Sequence, residues 1–366
     1  MKQDLKARLR RYRDAGKTPV PLENDRSKCS VFWPGWTEAG FKTLKRELLR
    51  DVAFPVPGAF PETLPILVPD LLRIGRLPSP GELLFFDLET TGLSGGAGTI
   101  AFLAAFGSFC AQDKIRIIQY LLLDYSGESD FIDMVVKEIT ALPVVVSFNG
   151  KCFDSQILKN RCLMNRVGYP DYFHADLLHP ARRLWKKKLP DCSQSTIETA
   201  VLGLDRSGDI SGAMAPDIWF SFLREGGNRD LLSVCEHNAR DISGLASLFL
   251  AVSEIAFNPL ERRKKFRFNE ETLAFYWRKT LRKNPKLFEN TESYLLNVKT
   301  GDLLLETAAR NGNPAAAVAL AKNAEWRLKD YKKALEYTAF ALSNSEITEN
   351  FRDELEKRRI RLSGKL

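Results

Sequence analysis

The plainest hydrophobic pattern in the chain is Leu83-Leu84-Phe85-Phe86, an apolar run that leads into Asp87-Leu88-Glu89-Thr90-Thr91-Gly92-Leu93. An unbroken apolar run of this length reads as a strand buried on both faces. Strand side chains alternate, so Asp87 and Glu89 leave its end on the same side. Two further strands are predicted at Thr99–Phe109 and Ile115–Asp124, joined by the polar turn Gln112-Asp113-Lys114. The pattern then alternates. Helical spacing at Glu128–Thr140 precedes a valine-rich strand at Pro143–Phe148, the Asn149-Gly150 turn, an amphipathic helix at Phe153–Val167 and a short strand at Tyr172–Ala175. Helical segments follow at Pro180–Lys187, Ser195–Leu202 and Pro216–Arg224, and one long helix, Asn228–Ile255, closes the region. This is an α/β domain with a mixed sheet, because hairpin-linked strands cannot belong to an all-parallel Rossmann sheet.

The flanks read differently. Gln3–Ala15 and Thr37–Asp51 have helical spacing, with the turn-rich stretch Pro19–Trp36 between them. Pro55, Pro57, Pro61, Pro65 and Pro69 forbid a long helix after that. Pro78-Ser79-Pro80-Gly81 marks a boundary. Beyond Asn258-Pro259 comes a basic run, Arg262 to Arg267, and then almost continuous helix-forming sequence. Ala315–Leu328 and Tyr331–Leu342 form a helix–turn–helix pair similar to one tetratricopeptide unit. The expected organisation is a basic N-terminal extension over 1–80, an α/β domain over 81–256 and an all-α, tetratricopeptide-like region over 257–366.

Charge sharpens this division. The net charge is +8 overall, with +6 over residues 1–80, −5 over 81–252 and +7 over 253–366. An acidic middle between basic flanks suits acids gathered around metal ions, with flanks that favour an anionic partner. The six cysteines are scattered without a C-x-x-C pair, which argues against zinc clusters and a secreted disulfide framework. The N-terminus lacks the apolar core of a signal peptide, and the longest apolar run, Ile100 to Ala111, is too short to span a bilayer. A cytoplasmic protein without a membrane segment is expected. The glycine-rich Ser94–Gly98 lacks G-K-[ST], so it reads as a hairpin connection rather than a phosphate loop.

The candidate chemistry rests on acids. Asp87 and Glu89 side by side repel each other unless a cation lies between them, and hard divalent ions prefer such oxygen ligands. Asp154 falls in the first turn of the helix after Asn149-Gly150, a place that a helix dipole alone favours. His237 and Asp241, four apart in the long helix, share one face. His174 and His179 lie near Asp176 without metal-ligand spacing and read as structural. Arg182, Arg183, Lys186, Lys187 and Lys188 form a basic cluster suited to phosphates, with Trp185 inside it.

Together these motifs resemble the DEDD superfamily of 3′–5′ exonucleases, which share a ribonuclease H-like fold. Asp87-x-Glu89-Thr90-Thr91-Gly92-Leu93 looks like the first motif, Asn149-x-x-x-Phe153-Asp154 the second and His237-x-x-x-Asp241 the third. The longer match, with Leu93–Thr99 and Arg182-Arg183-Leu184-Trp185, is similar to bacterial YprB-type proteins, which pair this domain with a tetratricopeptide-like C-terminus. The resemblance implies phosphodiester hydrolysis with two Mg²⁺ or Mn²⁺ ions held by Asp87, Glu89, Asp154 and Asp241, with His237 as general base. It implies that Thr90, Thr91 and Leu93 hold the terminal nucleotide of single-stranded DNA or RNA, in a pocket shaped by Asn149 and Phe153. The histidine subgroup usually puts four residues between His and Asp, whereas here there are three, the spacing of the tyrosine subgroup. The other reading of these motifs is a non-catalytic nucleic-acid-binding scaffold that recruits a protein partner through its C-terminal helices.

Overall fold

A computed structural model describes residues 33–92, 98–227, 229–288, 291–345 and 347–366. The expected helix Gln3–Ala15 and most of the glycine-rich loop, with Leu93, lie outside the described residues.

Among the described residues seven strands form one sheet. They are β1 (Trp36–Gly40), β2 (Thr43–Asp51), β3 (Leu83–Thr90), β4 (Ala101–Phe109), β5 (Lys114–Leu122), β6 (Val144–Ser147) and β7 (Phe173–Asp176). Their order across the sheet is β1-β2-β5-β4-β3-β6-β7. The members from β1 to β3 are antiparallel to their neighbours, and β6 and β7 run parallel to β3. The sheet is therefore mixed, as the hairpin pattern requires.

β3 is buried on both faces. Phe86 stacks on Phe106 with ring centroids 5.2 Å apart, and Phe85 meets Phe109 and Phe249 edge-on at 5.0 and 6.0 Å. This is the packing that the run Leu83–Phe86 foretells, since a strand with helices over both faces has no use for alternation.

Residues Thr37–Asp51 overturn the helical expectation. They form most of the β1–β2 hairpin, and β2 pairs with β5 in continuous register from Thr43↔Leu122 to Asp51↔Lys114. Helix-forming residues such as Leu48, Leu49 and Arg50 give way because the open edge of β5 supplies a full ladder of backbone partners, which local propensity cannot match. The sheet thus reaches back well before residue 81.

Helices cover the sheet. They include α1 (Glu128–Ile139), α2 (Asp154–Met164), α3 (Leu178–Trp185), α4 (Ala215–Glu225) and the long α5 (Arg229–Phe257). α5 lies across β3, β4 and β5. It packs tightly at Gly107 of β4, where an added Cβ would lie 2.4 Å from Cγ2 of Ile242. A side chain there would lift the helix off the sheet. Glycine at 107 is therefore part of what brings the α5 face bearing His237, Asn238 and Asp241 down to the end of β3.

The C-terminal region is helix-rich: α6 (Pro259–Phe266), α7 (Glu270–Lys283), α8 (Thr291–Arg310), α9 (Pro314–Asn323), α10 (Tyr331–Leu342) and α11 (Glu349–Ser363). From α7 onward each helix packs on the next. The expected hairpin is present, with side-chain caps at both starts: Asn313 accepts from the Ala316 amide at 2.8 Å and Asp330 from the Lys333 amide at 2.9 Å. This region docks on α3. Trp185 is fully buried and its Nε1 donates to the Phe266 carbonyl at 2.9 Å, while the Asn269 amide donates to the Leu184 carbonyl at 2.7 Å. Packing is what Trp185 does, and it is withdrawn from any base. No helix among the described residues is long and apolar enough to cross a membrane.

Candidate functional site

Three elements deliver the acids. β3 carries Asp87 and Glu89, α2 begins at Asp154, and α5 carries His237 and Asp241. Ligand atoms of Glu89, His237 and Asp241 all lie within 4.8 Å of one another. Asp87 and Asp154 complete the group, as their mutual repulsion records. Burial pushes the Asp87 carboxyl well above the usual carboxylate range, and Asp154, Asp241 and Glu89 push it further. Glu89 is raised well above its usual value by burial, then by Asp241 and Asp154. Burial, with Asp176 behind it, raises Asp154 to about 7. The structure therefore brings the four predicted acids and the predicted histidine into one place.

The second motif owes its shape to a residue outside the predicted set. Asn149 has a left-handed backbone, φ 66°, which Asn tolerates better than most residues. The buried Asp176, at the end of β7, holds that turn by accepting from the amides of Asn149 at 2.8 Å and Lys151 at 3.1 Å. Gly150 permits the close approach that follows, since a Cβ there would lie 2.9 Å from Asp154 Oδ2. His174, two residues before Asp176, sits between the hydroxyls of Ser147 (2.7 Å) and Ser155 (3.2 Å), and burial drives its pKa down to about 4. It is a neutral, structural histidine.

The predicted nucleotide-holding residues fare unevenly. Thr91 is tied into the β3–β4 connection: its amide donates to the Ile100 carbonyl at 2.9 Å, and its hydroxyl accepts from the Ile100 amide at 3.0 Å. Thr90 Oγ1 donates to the Gly92 carbonyl at 3.1 Å. Asn149 is exposed and Phe153 half-buried. Phe148 and Asn149, with Leu178, Arg182, Asp191, Cys192, Ser193 and Gln194, line an open groove of about 510 Å³. Of the basic cluster, Arg182 faces this groove, Arg183 stacks on Tyr276 at 4.1 Å and Lys187 pairs with Glu271 at 3.1 Å.

Sequence reading missed two supporting networks. In the first, Asn238 Nδ2 donates to Asp87 Oδ2 at 2.7 Å, and Gln119 Nε2 donates to Asn238 Oδ1 at 2.8 Å. Arg46 Nε on β2 donates to Gln119 Oε1 at 2.5 Å. A buried relay thus runs from β2 through β5 and α5 to the first acid, fixing its rotamer. The one signal for it was Gln119, a lone amide inside an apolar strand.

The second network comes from the segment before α4. Asp209 Oδ1 lies 3.0 Å from His237 Nδ1. A carboxylate only accepts, so Nδ1 carries the proton and Nε2 of a neutral ring is left as the base. That Nε2 lies 3.4 Å from Asp241 Oδ2. Arg206 reaches three acids: its Nε is 3.0 Å from Asp209 Oδ2, its Nη1 3.3 Å from Glu198 Oε2, and its Nη2 bonds Asp241 Oδ1. Glu198 is wholly buried and is raised to about 8, by burial first. It fits against α5 because residue 244 is glycine; a Cβ there would lie 1.8 Å from Glu198 Oε1.

The donor set fits hard divalent cations. Four carboxylates and an imidazole converge, with Asp176, Asp209 and Glu198 behind them, and the guanidinium groups of Arg206 and, at 3.9 Å from Asp209, Arg240 are too few to neutralise them.

The family model described as RNase_H superfamily matches residues 84–252. A Bacillus subtilis (strain 168) protein named "Uncharacterized protein YprB" is 32% identical over 312 residues, spanning 78% of this chain and 75% of the relative. Among solved structures, the family B DNA polymerase of the archaeon Pyrobaculum calidifontis aligns with a TM-score of 0.37 and 13% identity, over 56% of this chain and 30% of the polymerase chain.

Proposed function

The chain belongs to the YprB family and carries a ribonuclease H superfamily domain, which suggests a nuclease-type function; from this premise we propose that it is a metal-dependent 3′–5′ exonuclease acting on single-stranded DNA or RNA. The observation that carries this reading is the convergence of Asp87, Glu89, Asp154 and Asp241 with His237 at the end of β3.

Asp87, Glu89, Asp154 and Asp241 would hold two Mg²⁺ or Mn²⁺ ions. When bound, such ions supply the Lewis acidity that makes water nucleophilic and steadies the leaving 3′ oxygen. His237, its Nδ1 proton held by Asp209, offers Nε2 to take the proton of the attacking water. Asn238 keeps the Asp87 carboxylate aimed into the site through its 2.7 Å bond. The backbone from Thr90 to Gly92, with Asn149 and Phe153, would seat the terminal nucleotide. The groove lined by Asn149 and Arg182 would receive the next phosphate. Free thiols at Cys110, Cys152, Cys162, Cys192 and Cys235 support a cytosolic setting. The stacked helices α7–α11 support a tetratricopeptide-like array, with exposed Trp326 and Leu328 as features a protein partner would meet.

Digestion of single strands tests the reading. With Mn²⁺, a 5′-labelled linear oligonucleotide should shorten in single-nucleotide steps, and a circular strand of the same sequence should survive. Cutting of the circle would make the protein an endonuclease, and a digest that releases the 5′ label first would reverse the direction.

A further inference from the structure

Arg206 raises a question that the metal reading does not answer. Its guanidinium bonds Asp241, one of the acids needed for a cation. An arginine cannot leave by losing its proton, so it shares Asp241 with the metal or gives it up.

Three observations favour giving it up. Arg206 keeps the Asp209 carboxylate at 3.0 Å, with the Glu198 carboxyl 3.3 Å away as a further oxygen, so losing Asp241 does not strand its charge. Of the three acids, Asp241 is the one reached by solvent: its side chain is 20% exposed, against 9% for Asp209 and 0% for Glu198. The wetter partner is the cheaper one to exchange. Finally, Arg206 Nη1 and Glu198 Oε2 are both shut off from solvent and lie 3.3 Å apart without the alignment of a hydrogen bond. A small turn of the guanidinium away from Asp241 can close that contact. Gln194 makes such a turn local, because its Nε2 donates both to Glu198 Oε1 at 2.8 Å and to the Asp241 carbonyl at 2.7 Å, tying the Glu198 carboxyl to the α5 backbone at Asp241.

We propose that Arg206 is an exchangeable counter-ion: it holds Asp241 while the acid cluster is free of metal, and yields that carboxylate to an incoming divalent cation by falling back on Glu198 and Asp209. This rests on the metal-centre reading above. It also links loading to the base, because the Asp209 carboxylate that Arg206 falls back on is the one that orients His237.

The test is Mn²⁺ binding to the full-length protein, followed by the electron paramagnetic resonance of the free ion. Arg206→Ala should bind about tenfold more tightly than wild type, the scale of one charge-assisted hydrogen bond no longer competing. Arg240→Ala removes the same charge next to Asp209 without touching Asp241, and should shift affinity by less than about threefold. Equal tightening in both variants, or none in Arg206→Ala, overturns the exchange. A wild type that binds no Mn²⁺ overturns the metal reading and the exchange with it. Should Arg206→Ala fail to fold, the wild type alone decides through its side-chain ¹⁵N resonances. On titration with Mg²⁺ the Arg206 Nη signals should move to a new position. Signals that stay fixed while Mg²⁺ binds overturn the proposal.

Discussion

Asp87→Asn should lower nuclease turnover by about a thousandfold or more, while the metal-free protein melts no earlier than wild type. The activity loss follows from removing a negative ligand at the point where β3, α2 and α5 converge; a deficit of about 4 kcal/mol in transition-state stabilisation corresponds to that factor. The stability result follows from electrostatics. Asp87 is half-buried and desolvated beside Asp154, Asp241 and Glu89, each of which raises its pKa, so its charge is a cost to the metal-free fold. Asparagine removes that cost and still presents an oxygen to Asn238 Nδ2. Digestion of an end-labelled oligonucleotide beside a thermal melt reads both effects. A variant that is inactive because it unfolds would contradict the account, and so would one that digests like wild type.

The same electrostatics predict an unusual pH dependence. Asp154 is raised to about 7 and Glu198 to about 8, with Asp87 and Glu89 also well above their usual values. A carboxyl whose pKa is higher folded than unfolded favours the fold most when protonated. Its contribution is complete below the unfolded pKa, about 4, and is lost as pH rises through the folded value. In chelator, the melting temperature should therefore fall between about pH 5 and pH 8. Saturating Mn²⁺ should reverse the trend, since the ligands must be ionised to bind; at a hundred times the dissociation constant the gain is about 2.7 kcal/mol. The rise in melting temperature on adding metal should be several degrees at pH 8 and small at pH 5, with Asp87→Asn showing little of it. Parallel pH profiles with and without metal would contradict a carboxylate metal site.

How much of this was legible in the sequence depends on whether local pattern or distant partners decide. The strand Leu83–Thr90 was legible because its unbroken apolar run marks a strand covered on both faces and its two acids, two residues apart, share one side. Asp154 and Asp241 were legible through motif spacing. Thr37–Asp51 was not, since its strand state depends on β5, some seventy residues away, and its composition suits a helix as well. Arg206 and Asp209 were hidden for a related reason: they come from an irregular segment whose polar residues look like any solvated loop, while Glu198 opens a short helical turn whose inward face local pattern does not mark. Only the fold reveals that they face His237 and Asp241 rather than water. Asn238 sat beside His237 in plain view. The i, i+4 pairing of His237 with Asp241 drew attention from it, although Asn238 is the residue that touches Asp87. The spacing that separated His237 from the histidine subgroup also looks different now, because Asp209 gives this imidazole an orientation of its own.

The central claim is that the acids at the end of β3 hold divalent ions. An anomalous difference map from a crystal of the wild-type protein soaked in Mn²⁺ tests it most directly. The account predicts strong peaks bounded by Asp87, Glu89, Asp154 and Asp241. A well-ordered cluster without a peak, in a crystal that shows Mn²⁺ elsewhere, would contradict it.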